Sequence, residues 1–251
     1  GAFEEESGGL AGFEDRGQRY GRDRRSGAGL SSHGFEEPLR RGLATLGLSL
    51  ADAQVKQLLD YQDLLLKWNR VYNLTAVRDP KDMLTHHLLD SLAVVAPLQH
   101  QLQARHHGGP AAQLLDVGAG AGLPGVVLAI CCPQLRVTCV DAVAKKVAFV
   151  RQVQATLGLA NLQALHARVE SLCGTYDVVC SRAFASLADF VRGTRQLLAP
   201  GACWLAMKGQ YPADEVAALP PEAKVFHVEQ LQVPGLDAQR CIVWIAPAVC
   251  A

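Results

Sequence analysis

The chain has 251 residues, 49% of them hydrophobic and 19% charged, enough for one sizeable core and too few for two large domains. Formal net charge is +0, so no global field marks a polyanion partner, although most basic residues are arginine and local guanidinium sites stay open. The 8 cysteines form no CxxC pair and no Cys/His cluster of zinc spacing. No apolar run reaches the roughly 18 residues of a membrane span, and no signal-peptide core is visible. Reduced thiols and a cytoplasmic location are expected.

Residues 1–34 are Gly, Ser, Arg and acid with few aliphatics, which predicts a disordered extension with Arg22, Arg24 and Arg25 as part of a solvated tail. Residues 35–108 predict an N-terminal helical cap. Leu39, Leu43 and Leu46 share one helical face, and Gly47 suits the position after its end. Val55, Leu58, Leu59, Leu65, Leu66 and Trp68 predict a longer second helix. Trp68 and Tyr72, four apart, read as docking core. Asp79-Pro80 offers the N-cap and first position of a third helix carrying Met83, His87, Leu88, Ser91, Leu92 and Val95, with Pro97 near its end.

From 109 to 251 strand and helix alternate. Strands are expected at 112–117, 136–141, 162–166, 176–181, 202–207, 224–231 and 240–246, and helices at 123–131, 144–157, 186–198 and 213–218. No helix pattern separates the last two strands, so an antiparallel pair joined by a Pro234-Gly235 turn is expected. The fold class is α/β, a Rossmann-like seven-stranded sheet ending in an antiparallel hairpin.

The first strand runs into four glycines, Leu114-Leu-Asp-Val-Gly-Ala-Gly-Ala-Gly-Leu-Pro-Gly125. Three ligands compete for such a loop. A nucleoside triphosphate loop needs a Lys-Ser/Thr pair that is missing here. Gly120, Gly122 and Gly125 match the dinucleotide spacing GxGxxG. Asp116, Gly118, Gly120 and Gly122 match the acidic-x-Gly-x-Gly-x-Gly register of an S-adenosylmethionine loop. A carboxylate is a liability beside a pyrophosphate and tolerable beside a sulfonium. Asp116 also suits a role as a loop cap. Asp141, ending the second strand, can accept from ribose hydroxyls of either cofactor. Lys145, Lys146 and Arg151 on the following helix read as a solvated face.

The fourth strand, Tyr176-Asp-Val-Val-Cys-Ser-Arg-Ala-Phe184, lacks the [DNS]PP[YFW] device of exocyclic-amine methylation, and Cys180 reads as core rather than as a cytosine-attacking nucleophile. Arg182 sits where open α/β sheets bind ligands, suited to a phosphate or cofactor carboxylate, or to an ion pair with Asp177 or Glu170. Phe184 suits a base stack or a core position equally. Lys208 suits a phosphate or a solvated strand end. His86, His87 and Asp90 share a helical face without a third ligand, so no metal is expected.

Lys67-Trp-Asn-Arg-Val-Tyr-Asn-Leu-Thr75, His87-Leu-Leu-Asp-Ser91, Asp116-Val-Gly-Ala-Gly-Ala-Gly-Leu-Pro-Gly125, Ser181-Arg-Ala-Phe-Ala-Ser186 and Met207-Lys-Gly-Gln210 occur in this order. Together they closely resemble the bacterial glucose-inhibited division protein B family, across roughly residues 36–246. The resemblance implies a class I methyltransferase sheet and S-adenosylmethionine-dependent methylation of guanine N7 in small-subunit ribosomal RNA, with the RNA or the 30S subunit as partner. It implies cofactor contacts at Gly118, Leu123, Val169, Glu170 and Arg182, beside Asp116, Gly120, Gly122 and Asp141. It places Asn73, Arg182 and Lys208 as catalytic candidates, and Arg168, Lys208 and Arg240 toward the RNA. Guanine N7 carries no proton at neutral pH, so orientation rather than a general base is expected to do the catalysis. The rivals are a NAD(P)-dependent oxidoreductase and a non-catalytic RNA-binding module. The chain looks self-sufficient as a monomer.

Overall fold

The computed structural model describes residues 31–105, 110–182 and 184–248. Most of the expected disordered extension lies outside these residues. Its end does not behave as expected, because Ser32–Phe35 form a 3-10 turn. Asp63 Oδ1 accepts the Ser32 N–H at 2.6 Å, and Ser32 is fully buried.

Helix α1 (Glu36–Thr45) buries Leu39, Gly42 and Leu43. A Cβ on Gly42 would lie 2.5 Å from a Leu89 methyl, so a glycine here lets two helices approach closely. Gly47, at φ +66, closes α1 with the Leu48 N–H on Leu43 O at 2.9 Å. Helix α2 (Asp52–Tyr72) buries Val55, Leu58, Leu59, Tyr61 and Leu65 at helical spacing and ends in Asn73, at φ 49. Helix α3 (Pro80–Met83) starts as expected, with Asp79 Oδ1 accepting from the Lys81 and Asp82 N–H groups. The path continues through a π-helical turn, Leu84–Leu89, into α4 (Asp90–Leu92). Pro97 does not end this run. It lies in the first turn of α5 (Val95–Arg105), where a missing N–H costs nothing.

The seven strands are β1 (Gln113–Val117), β2 (Arg136–Asp141), β3 (Leu162–His166), β4 (Tyr176–Ser181), β5 (Leu198–Lys208), β6 (Ala223–Leu231) and β7 (Arg240–Pro247). They form one sheet in the order β3-β2-β1-β4-β5-β7-β6. The first five are parallel where they pair, and β7 runs antiparallel to both β5 and β6. β1, β2 and β4 are buried almost throughout, as strands covered on both faces must be.

Between them lie α6 (Gly125–Cys131), α7 (Ala144–Leu157), α8 (Leu187–Thr194) and α9 (Ala213–Ala217). Helix α8 stops short of the expected 198. Thr194 Oγ1 bonds Phe190 O at 2.6 Å and accepts the Trp204 indole N–H at 2.8 Å, which fixes the turn into β5. The cap does not stand apart from the sheet. Leu58, Tyr61 and Met83 belong to the same apolar cluster as Val126 and Phe149.

Candidate functional site

The strand order reverses between β1 and β4, which opens a crevice at their carboxyl ends. Ser181 Oγ, donating to Val117 O at 3.0 Å, ties the two strands together there. The glycine loop fills this position, and its glycines divide the work. Gly118, at φ +66, has nothing within 4 Å of where a Cβ would sit, so its surface is an open cradle. Gly120 donates its N–H to Asp141 Oδ2 at 2.9 Å. A Cβ on Gly122 would meet Val126 at 2.4 Å, and one on Gly125 would meet Cys139 Sγ at 2.4 Å, so these two serve packing.

Asp116 takes the capping role rather than facing a ligand. It is fully buried, and its Oδ2 accepts the Gly125 N–H at 2.8 Å at the start of α6. Burial pushes its carboxyl up to about 7, against the opposing pull of Gly125 and the Arg182 charge. Gly122 and Leu123 are likewise buried and give their N–H groups to Ala119 O. These three expected contacts therefore form the floor under the loop.

A cleft of about 260 Å³ is lined by Gly118, Asp141, Arg168, Val169 and Glu170. Asp141 Oδ1 also accepts the Val143 N–H at 2.8 Å, so each carboxylate oxygen is oriented by one backbone donor and retains acceptor capacity. Arg168, expected on the RNA, stands on this cleft, at the N-terminus of a 3-10 turn.

A second cleft, of about 400 Å³, opens at the ends of β4, β5 and β7 and is lined by His86, His87, Asp90, Arg182, Lys208 and Arg240. Asp90 organises it. Its Oδ1 accepts the Arg240 Nε–H at 2.9 Å and its Oδ2 lies 3.6 Å from Arg182, with the carboxylate side chain only 4% exposed. Lys208 Nζ lies 2.8 Å from Glu215 Oε2, and the same oxygen accepts the Leu187 N–H. Three cations thus face two carboxylates. Arg182 also donates to His86 O at 3.4 Å, and its charge acts on Tyr61, His87 and Asp116, which places it between the loop and this cleft.

His87 is held neutral. Burial first, and Arg182 second, lower it to about 4. Its Nδ1–H donates to His86 O at 3.0 Å, and its Nε2 accepts the Thr75 hydroxyl at 2.8 Å. Asn69 Oδ1 in turn accepts the Thr75 N–H at 2.9 Å. Asn73 stays outside both clefts. It is exposed, and its Oδ1 accepts from Arg78 at 2.7 Å. Its left-handed backbone, which ends α2, accounts for this residue type at that position.

Phe184 packs on Phe190 with ring centroids 5.2 Å apart, and Cys180 is fully buried. Among the described residues no group of three or more His, Cys, Asp or Glu side chains gathers as a metal site. Sequence reasoning missed Asp90 and Glu215 as anchors of the cations, and Tyr61, whose hydroxyl donates to Ala121 O at 2.7 Å and pins the loop to α2. The His87-Leu-Leu-Asp-Ser91 motif carried the signal for Asp90, but not its partner.

The family model described as "GidB: rRNA small subunit methyltransferase G" matches residues 54–243. A protein of Albidiferax ferrireducens named "Ribosomal RNA small subunit methyltransferase G" is 65% identical over 216 residues, covering 84% of this chain and 96% of its own. One of the same name from Acidovorax sp. (strain JS42) is 61% identical over 221 residues, covering 87% and 98%. Among solved structures, TrmN from Thermus thermophilus superposes with a TM-score of 0.50 at 20% identity, covering 66% of this chain and 53% of that one, a likeness of fold.

Proposed function

The chain belongs to the GidB family, and from that premise we propose that it methylates guanine N7 in small-subunit ribosomal RNA, using S-adenosylmethionine, as a cytoplasmic monomer. The carrying observation is the open Gly118 cradle beside Asp141, adjoining a cleft held by Arg182, Lys208 and Arg240. A nucleoside cofactor suits the first cleft, because Asp141 keeps acceptors for ribose hydroxyls and Gly118 leaves room that any side chain would fill. When bound there, S-adenosylmethionine supplies an electrophilic methyl group.

The residues of the second cleft orient an RNA nucleotide. Arg182, Lys208 and Arg240 offer donors to phosphate or base oxygens. The carboxylate that lines this cleft, Asp90, is already engaged by Arg182 and Arg240, and Lys208 is held by Glu215 behind it. That suits an acceptor from which no proton has to be taken, as guanine N7 is. Orientation then carries the rate. Titration calorimetry with S-adenosylmethionine tests the first cleft, and the expected result is one site per chain, lost in Gly118→Val. Absence of binding to the wild-type protein would overturn the reading.

A further inference from the structure

The Lys67–Thr75 stretch is only half used by the site, since Thr75 holds His87 while the helical end of the stretch faces solvent. We propose that the tip of α2 and the start of α7 form a separate docking surface for the phosphate backbone of the RNA, an inference that rests on RNA being the substrate.

Placement comes first. Helix α2 runs antiparallel to α7: the Gln57 amide reaches Leu157 O at the end of α7, whereas the Trp68 ring meets Phe149 near its beginning, centroids 5.6 Å apart. The α2 tip is thus carried toward Lys145 and Lys146. Tyr61, one face of the same helix, touches the cofactor loop, so this surface flanks it.

Charge comes second. Residues 64–78 contain Lys67, Arg70 and Arg78, and residues 142–157 contain Lys145, Lys146 and Arg151, with the flanking acids Asp63, Asp79 and Asp141 each taken by a backbone N–H. The whole chain is balanced at +0, so this segregation is local. Lys145 and Lys146 lie in the first turn of a 14-residue helix that has no side-chain N-cap. Cations there oppose the helix dipole, so they do not serve the helix.

Shape comes third. A recess of about 180 Å³ lies between Arg70 and Arg78, walled by Leu66, Pro80 and Met83, large enough for a phosphate group. On the α7 side of the same helix end, away from the recess, Tyr72 is 43% exposed, and its ring is held against Trp68 at 5.0 Å. A fixed exposed aromatic ring at the end of a basic segment is suited to stacking on an unpaired base.

The test is binding of protein-free small-subunit ribosomal RNA across a salt series, with no methyl transfer needed. Replacing Lys67 and Arg70 together by alanine is expected to weaken binding at least about tenfold and to flatten the salt dependence by about one to two ions. Tyr72→Ala is expected to weaken it too, with Tyr72→Phe restoring it. Lys224→Ala, on the opposite edge of the sheet, is expected to change neither, and cofactor affinity is expected to stay unchanged in all four as a check on folding. Unchanged RNA affinity and slope in the double variant would overturn the proposal. So would a loss seen with intact subunits but not with protein-free RNA, which would assign the face to a ribosomal protein. A wild-type protein that binds RNA in this way but transfers no methyl group would sink the activity and leave the surface standing.

Discussion

Asp90 and Arg240 stand 150 positions apart in the chain, yet Asp90 Oδ1 accepts the Arg240 Nε–H at 2.9 Å and so joins the helical cap to the last strand. The second oxygen of the same carboxylate faces Arg182 at 3.6 Å. One buried acid therefore sets two of the three cations of the second cleft.

Asp90→Ala leaves Arg182 and Arg240 without their shared counter-charge. Breaking a fully buried pair costs about 3 to 5 kcal/mol. The arginine side chains are 30% and 26% exposed, so solvent takes up part of that cost. A loss of about 2 kcal/mol in denaturant unfolding is predicted, with a fall of at least about 100-fold in kcat/KM. Asp90→Asn keeps an acceptor for Arg240 and is predicted to recover stability more than activity. Wild-type activity in both would remove Asp90 from the account.

Gly118 and Gly47 share a φ of +66 and open surroundings, but only Gly118 lines the cleft that holds Asp141. Alanine at either is predicted to cost about 1 kcal/mol in stability from backbone strain alone. Only the Gly118 change is predicted to weaken S-adenosylmethionine binding, by at least about tenfold, because its Cβ enters the cradle. Equal cofactor affinity in the two variants, read by calorimetry, would contradict the cradle.

His86 lines the same cleft as Arg182 and is exposed, so it is the side chain to test for proton transfer. General-base residues typically supply about 100-fold or more. With N7 as acceptor, His86→Gln is predicted to hold kcat within about threefold. A drop of about 100-fold would mean that a proton must be removed.

Asp116 and His87 tilt stability against pH in opposite directions. Burial raises Asp116 from 3.8 to about 7, so between those values the folded chain holds a proton that the unfolded chain has released, and stability falls as pH rises. Burial and Arg182 lower His87 from 6.5 to about 4, so between those values the unfolded chain binds the extra proton, and stability rises with pH. The two slopes offset each other in the wild type. Asp116→Asn is predicted to leave a rising profile over about pH 4 to 6.5, and His87→Gln a falling one, in urea midpoints. Three parallel profiles would show that neither group is perturbed as described.

What could be read from the sequence was what is local. Strands β2 and β4 fall where apolar runs put them, because strands covered on both faces announce themselves in composition, and edge strand β3 and helix α7 fall where alternation and helical spacing put them. The Asp79 cap was legible because a cap is set by its own next residues, Lys81 and Asp82. The direction of Asp116 was legible only as one of two roles, a loop cap or a ligand contact. Its carboxylate turns down to the Gly125 N–H, which only the packed helix α6 reveals. The partner of Arg182 was sought among Asp177 and Glu170, near in sequence, and lies instead on the cap at Asp90. Pro97, expected near the end of the third helix, stands in the first turn of the next one, because sequence does not distinguish the two.

The most direct measurement is to incubate the protein with labelled S-adenosylmethionine and small ribosomal subunits lacking the modification, then map the methylated atom in the RNA. The predicted result is label on a guanine N7, one per subunit, absent without subunits and lost in Arg182→Ala. Label on another base or atom, on protein, or nowhere while the cofactor still binds would contradict it.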